Sequence, residues 1–148
     1  MEPKTTTQTI GGTIQTAEHS VPKYESVMLI DDNTIDTFIN RKLIENNAFC
    51  SRVTSYNDAR EAIDFLKQAS EQEWPELIFL DIMMPEMDGF AFLEAFERLD
   101  RGQKNRIKVV MLSTSDSFKD LNRANKNVLV RKFLNKPLTA DMLKAIHV

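Results

Sequence analysis

The sequence predicts an α/β domain with a parallel sheet wrapped by helices on both faces, and three observations carry that prediction. Strand-like and helix-like segments alternate five times from Tyr24 onward. Two of the strand candidates, Val27-Met28-Leu29-Ile30 and Leu77-Ile78-Phe79-Leu80, are unbroken apolar runs, the pattern of strands buried on both faces. Each run ends on acid, Asp31-Asp32 and Asp81, and in an open parallel sheet the carboxyl ends of the strands form the crevice where ligands bind. If the two strands are neighbours, three carboxylates share one pocket. Such a cluster is costly unless a cation, a proton or a chemical task offsets it.

Each element follows from local pattern. After the first strand, Asn33 can cap a helix to about Asn46, with Ile35, Phe38, Ile39, Leu43 and Ile44 on one stripe. Phe49 to Thr54 reads as a short second strand, and Asn57 or Asp58 caps a helix carrying Ala59, Ala62, Ile63 and Leu66 at helical spacing. Trp74-Pro75 breaks the chain before the third strand. Pro85 and Asp88-Gly89 mark a loop, with Gly89 expected to permit an unusual backbone angle, and a third helix covers roughly Phe90 to Leu99. Ile107 to Leu112 is the fourth strand, followed by a helix from about Ser117 to Lys126 and a strand near Val130 to Leu134. Pro137 suits a turn or the start of a last helix, about Leu138 to His147. Short connections between repeated β-α units complete the argument for a parallel sheet.

Composition narrows the function classes. The chain has 148 residues, 42% of them apolar and 28% charged, with a net charge of −3, enough for one domain with a real core. That charge argues against a dedicated nucleic-acid binder. Cys50 is the sole cysteine, which excludes an internal disulfide and a cysteine-based zinc site and fits a reducing cytoplasm. No apolar stretch approaches the ~18 residues needed to cross a bilayer. The first 24 residues are rich in Thr and Gln and lack the apolar core of a secretory signal. We therefore expect residues 1–24 to form a flexible tail and residues 25–148 to form the domain.

Four strand ends bring chemistry to one rim. Asp31-Asp32 suits either the acidic decoration of a helix N-terminus or Mg²⁺, which prefers oxygen ligands. Asp81 can be a loop-capping residue, but the shaped loop behind it favours a functional side chain. Asp88-Gly89 alone would equally fit a hairpin turn. Ser113-Thr114-Ser115 closes the fourth strand. Hydroxyls there are often helix caps, while Ser113 should reach the same rim as Asp81 and can hydrogen-bond an oxyanion. Lys136, ahead of Pro137, is either a solvated lysine or a cation for phosphate oxygens and the carboxylates. Pro137 allows a cis bond at that point. Singly each feature is weak, and the ordered set is strong.

In that order, and with the loop Asp81-Ile82-Met83-Met84-Pro85-Glu86-Met87-Asp88-Gly89, the chain resembles the receiver domain of two-component response regulators from about Glu25 to Val148. The resemblance implies a flavodoxin-like five-stranded sheet of order 2-1-3-4-5. It implies that Asp81 accepts a phosphoryl group from a phosphohistidine on a sensor histidine kinase or a histidine phosphotransfer protein. Mg²⁺ would be held by Asp32, Asp81 and the backbone carbonyl of Met83, with Asp31 acting largely through water. Ser113 and Lys136 would bind phosphoryl oxygens, the positioning and charge neutralisation that this chemistry needs most. Ser113 and Phe133, three residues before Lys136, would form the family's switch, Phe133 turning inward on phosphorylation; plain core packing is the alternative for that ring. The face formed by the fourth helix, fifth strand and fifth helix would then change its affinity for a downstream protein.

Some positions depart from the family pattern. Thr114 stands where many receivers carry alanine. Met83 and Ser115 lie near the path of the attacking water and should affect the lifetime of the phosphorylated state. The segment from Ala124 to Val130 lacks the glycine often found before the fifth strand. Lys119, Arg123, Lys126, Arg131 and Lys132 make the output side basic.

The leading expectation is a stand-alone cytoplasmic receiver, a monomer or a weak phosphorylation-dependent dimer, with no membrane segment and no direct nucleic-acid contact. Its chemistry would be limited to its own phosphorylation and dephosphorylation. A receiver fragment of a hybrid histidine kinase is the second reading. A phosphatase of the haloacid-dehalogenase type is the third; such enzymes place a second acid two residues after the nucleophile, where this chain has Met83.

Overall fold

The computed structural model describes residues 21–99, 106–114 and 117–148. The elements run β1 (Tyr24–Ile30), α1 (Thr34–Asn46), β2 (Cys50–Tyr56), α2 (Ala59–Gln68), a 3-10 turn (Glu71–Glu73), β3 (Leu77–Asp81), α3 (Gly89–Glu97), β4 (Lys108–Ser113), α4 (Phe118–Asn125), β5 (Val130–Asn135) and α5 (Ala140–Ala145). All neighbouring strands are parallel, and the sheet order is β2-β1-β3-β4-β5. This is the flavodoxin-like arrangement.

The strand runs are apolar without a break because both faces of the sheet are covered. Met28, Ile30, Ile78, Leu80, Val109 and Met111 face one core with Ala62, Ile63 and Leu66 of α2 and Phe92, Leu93 and Phe96 of α3. Their neighbours Val27, Leu29, Leu77, Phe79, Val110 and Leu112 face the other, with Ile44 of α1 and Leu143 of α5. Trp74, beyond its role in breaking the chain, is buried against Phe96, and its indole N–H donates to the Leu66 carbonyl at 3.1 Å.

Asn33 caps α1 as expected, Asp58 rather than Asn57 caps α2, and Asp88, Ser117 and Thr139 cap the other three helices. Asn33, Asp58, Asp88, Ser117 and Thr139 each accept backbone N–H groups of the first turn. Without a glycine before β5, Asn127 makes the turn, its side chain accepting from the Leu129 N–H and its carbonyl from Val130.

Four expectations need correcting. The apolar stripe of α1 does not face the core along its length: Ile35, Phe38 and Ile39 are 69%, 62% and 54% exposed, whereas Thr37, Asn40 and Ile44 are buried. The reason lies at the helix start, where the Thr37 hydroxyl donates to the carbonyls of Asp31 and Asn33, which turns the polar side of the first two turns inward. The positive backbone angle of the β3–α3 loop falls on Glu86 (φ 68°), not on Gly89. Helix α5 is shorter than its pattern suggests, because Thr139 caps it late and Lys23 Nζ donates to the carbonyls of Leu143, Lys144 and Ile146 at its far end. Tyr24, assigned to the tail, opens β1, and its hydroxyl hydrogen-bonds the backbone of Val148. Residues 1–20 of the tail and Ser115 lie outside the described residues.

Gly89 has a different task. A Cβ built on it would lie 2.7 Å from the Asp81 carbonyl oxygen and 3.0 Å from Ile82 Cα, both backbone atoms that cannot swing away. Gly89→Ala is therefore expected to destabilise the fold by about 1–3 kcal/mol, the usual range for overpacking, and to move the loop behind Asp81. Chemical denaturation of the two proteins measures it, and an unchanged midpoint would show that the loop yields freely.

Candidate functional site

Parallel pairing of β1 with β3 places Ile30 opposite Leu80, so Asp31 and Asp81 stand side by side at the carboxyl edge. Both are buried, Asp32 is exposed, and carboxylate oxygens of all three lie within 4.8 Å of one another. Several short contacts fix Asp31. Its N–H donates to the Tyr56 carbonyl, one carboxylate oxygen accepts from the Asn33 N–H at 2.9 Å, and its carbonyl accepts from Thr37 and from Asn57 Nδ2 at 2.8 Å.

Lys136 reaches the acids from the end of β5. Its ammonium lies 2.8 Å from Asp31 Oδ2, 3.3 Å from Asp81 Oδ1 and 3.3 Å from Asp36 Oδ2. The residue is placed by its own N–H, which donates to the Ser113 carbonyl at 2.9 Å, and by a cis bond to Pro137. Ser113 is fully buried at the end of β4. Met83 is exposed on the loop leaving β3, and Thr114 is exposed beside Ser113. Phe133 pairs with Met111 in the sheet and packs, partly buried, against the core on the α2–α3 side.

The electrostatics follow from burial. Loss of water, reinforced by the charge of Asp31, pushes the Asp81 carboxyl up to about 6, with Lys136 pulling the other way. Burial works against the Lys136 charge, but the carboxylates of Asp31 and Asp81 outweigh it and raise its pKa above the ordinary lysine value. One ammonium thus contacts the carboxylates of Asp31, Asp36 and Asp81, with that of Asp32 close by, leaving the pocket net negative. A set of oxygen donors at this spacing, incompletely neutralised by the protein, suits a hard divalent cation.

Thus Asp31, Asp32, Asp81 and Lys136 converge, Ser113 lies at the adjoining strand end, and Phe133 sits two residues deeper along β5. Sequence reasoning missed Asp36, whose only signal is its place one turn after Asp32 on a helix. It also missed Thr37 and Asn57, and Arg60, which binds Asp58 and reaches Glu86 of the β3–α3 loop at 2.9 Å.

Fold and site together define a flavodoxin-like domain with an acid–lysine cluster at the carboxyl edge of its sheet. Residues 27–147 match the response regulator receiver domain, and the chain belongs to that family, the receivers of two-component signalling. Among curated relatives, a probable methanogenesis regulatory protein, FilR2, of Methanothrix harundinacea is 32% identical over 80% of this chain and 76% of its own length. Hybrid signal transduction histidine kinase B of Dictyostelium discoideum is 28% identical over 82% of this chain, which spans only 6% of that protein. A two-component response regulator structure from Cytophaga hutchinsonii superposes with a TM-score of 0.75 at 30% identity, covering 82% of this chain and 92% of the other. The phosphorylated cyanobacterial phytochrome response regulator RcpA (TM-score 0.66, 26% identity, 82% and 87% covered) and the Mn²⁺-bound form of response regulator Rcp1 (0.65, 27%, 81% and 87%) share the fold.

Proposed function

We propose that this receiver takes a phosphoryl group on Asp81 from the phosphohistidine of a sensor histidine kinase or a histidine phosphotransfer protein, and that the modified state changes the binding of a downstream protein. The observation that carries this reading is the meeting of Asp31, Asp32, Asp81 and Lys136 at one strand edge. In the transfer, the N–P bond of the phosphohistidine breaks and a bond from an Asp81 carboxylate oxygen to phosphorus forms, giving an acyl phosphate and a free imidazole. Mg²⁺ would be held by Asp32, Asp81 and the Met83 carbonyl, with Asp31 acting largely through water, and when bound it supplies charge neutralisation for the phosphoryl oxygens. The related response regulator Rcp1 has an Mn²⁺-bound form, which supports a divalent ion here.

The chain's own residues do the rest. Lys136 already touches Asp81 and needs little movement to reach a phosphoryl oxygen attached to it. Ser113, at the end of the neighbouring strand, offers a hydroxyl to a second oxygen. Phe133 is partly buried; its ring would turn inward as Ser113 shifts, and α4, β5 and α5 would carry the change to the partner. The exposed ridge of Ile35, Phe38 and Ile39 on α1 begins just after Asp31-Asp32. Adjacent exposed apolar side chains of this size mark a docking surface, here for the phosphoryl donor. No described helix is long and apolar enough to cross a membrane, and the single cysteine is free; both fit the cytoplasm where such donors work.

Incubation with Mg²⁺ and acetyl phosphate, read by intact mass, tests the reading. One added phosphoryl group is expected on the wild type and none on Asp81→Asn. Modification that persists in the variant would exclude Asp81 as acceptor.

A further inference from the structure

Asp36 is the residue at this site that neither the acid cluster nor the strand ends account for. It lies in the first turn of α1, and its carboxylate is 38% exposed while holding the ammonium of Lys136 at 3.3 Å. A lysine ammonium has three N–H donors. Lys136 has three carboxylate partners, Asp31, Asp81 and Asp36, one for each donor, and its side chain is only 12% exposed. Two of those partners belong to the group whose oxygens lie within 4.8 Å of one another and suit a cation. The third does not: Asp36 stands outside that group and is the most exposed of the three partners.

We infer that Asp36 is a positioning residue, a counter-charge that keeps Lys136 at the rim of the pocket when a divalent cation draws on Asp81 directly and on Asp31 through water. This rests on the reading of Asp81 as phosphoacceptor. Asp31 provides the shortest contact to the ammonium, at 2.8 Å. With a divalent ion held directly by Asp81 and through water by Asp31, the hold of both carboxylates on Lys136 would weaken and like charges would repel across the pocket. Without Asp36, a long flexible lysine would then swing to water, where its ammonium is strongly hydrated. With Asp36 in place, the ammonium stays beside Asp81, ready for an oxygen of the incoming phosphoryl group. The arrangement of the helix supports the assignment. Asn33 N–H and the Thr37 hydroxyl, on either side of Asp36, bind Asp31 directly, so the first turn of α1 is built around this cluster rather than around the apolar core.

The test titrates beryllofluoride, a phosphoryl mimic, into wild type, Asp36→Asn, Asp36→Glu and Asp81→Asn at saturating Mg²⁺, following backbone amide spectra. Mg²⁺ affinity is measured separately, and the side-chain ammonium resonance of Lys136 is recorded in metal-free and Mg²⁺-loaded protein. Asp36→Asn is expected to weaken beryllofluoride about three- to tenfold, as for one partly exposed charge-assisted hydrogen bond. Its Lys136 resonance should broaden towards free exchange with water when Mg²⁺ is added, and Asp36→Glu should recover both properties. Unchanged beryllofluoride affinity in Asp36→Asn overturns the inference. So does a loss confined to Mg²⁺ affinity, which would make Asp36 a contributor of charge to the metal pocket and nothing more. If the wild type fails to bind beryllofluoride, or Asp81→Asn binds it equally well, the acceptor reading itself falls.

Discussion

Asp81→Asn is expected to be more stable than the wild type in metal-free buffer at neutral pH, by about 1–3 kcal/mol, or some 2–10 °C in Tm for a domain of this size. The sign follows from the carboxyl's environment. Burial and the charge of Asp31 raise its pKa from 3.8 to about 6, so between those values the native protein holds a proton that the unfolded chain has released. Wild-type stability from this group is therefore greatest at low pH and falls as pH rises through that window, after which the deficit is constant. Asparagine does not titrate, and its advantage should appear across the same window and persist above it. Mg²⁺ should reverse the ranking, because only the wild type offers the full set of ligands. Thermal melts at pH 4, 6 and 8, with chelator and with Mg²⁺, read all of this. A variant less stable than wild type at pH 8 in chelator would show that the Lys136 contact outweighs the buried charge.

Lys136→Met should move stability and metal affinity in opposite directions. Removing the ammonium leaves Asp31 and Asp81 buried without their cation, at a cost of about 2–4 kcal/mol near pH 7.5, the scale of breaking a largely buried pair. Because the carboxylates raise the lysine pKa, this stabilisation is complete below the ordinary lysine value of about 10.4 and is lost only as pH rises through the higher native value. The same deletion removes the positive charge that a divalent ion must approach. Mg²⁺ should bind about tenfold more tightly or better, since one unit charge a few ångströms away changes the interaction by more than about 1 kcal/mol even at high effective dielectric. Calorimetry of Mg²⁺ binding with parallel denaturation decides it. Weaker binding in Lys136→Met would mean that the lysine shapes the pocket more than it repels the ion.

The strands were the most legible part of this chain. β1, β3 and β4 are covered on both faces, and such burial forces a run of apolar residues that no helix or loop of that length needs. The acids at the ends of β1 and β3 were legible for a related reason: a charge placed directly after a buried run has one place to go. α1 was not legible in the same way. Its apolar residues keep helical spacing, but which side turns inward depends on Thr37 meeting the Asp31 carbonyl, and a hydroxyl in a helix does not advertise such a partner. Asp36 was hidden because an acid in the first turn of a helix is ordinary on its own. Its partner, Lys136, lies a hundred residues further on, and only the fold brings them together. Gly89 looked like a residue chosen for its torsion angles and proved to be one chosen for its lack of a side chain, a distinction that requires knowing where the Asp81 carbonyl lies.

The Lys23 and Tyr24 contacts to the last residues of α5 and Val148 decide how this molecule can be handled. They tie the approach to β1 and the exit from α5 together at one pole, about 20 Å along a seven-residue strand from the acids at the other. A dye, a tether or a fused protein placed beside Lys23 or Val148 will sit at that far pole and leave the acidic rim uncovered. For the same reason, two probes placed at these positions report on that pole and not on the acids at the opposite one. A useful ruler must span the molecule, with one mark at this knot and the other on α4.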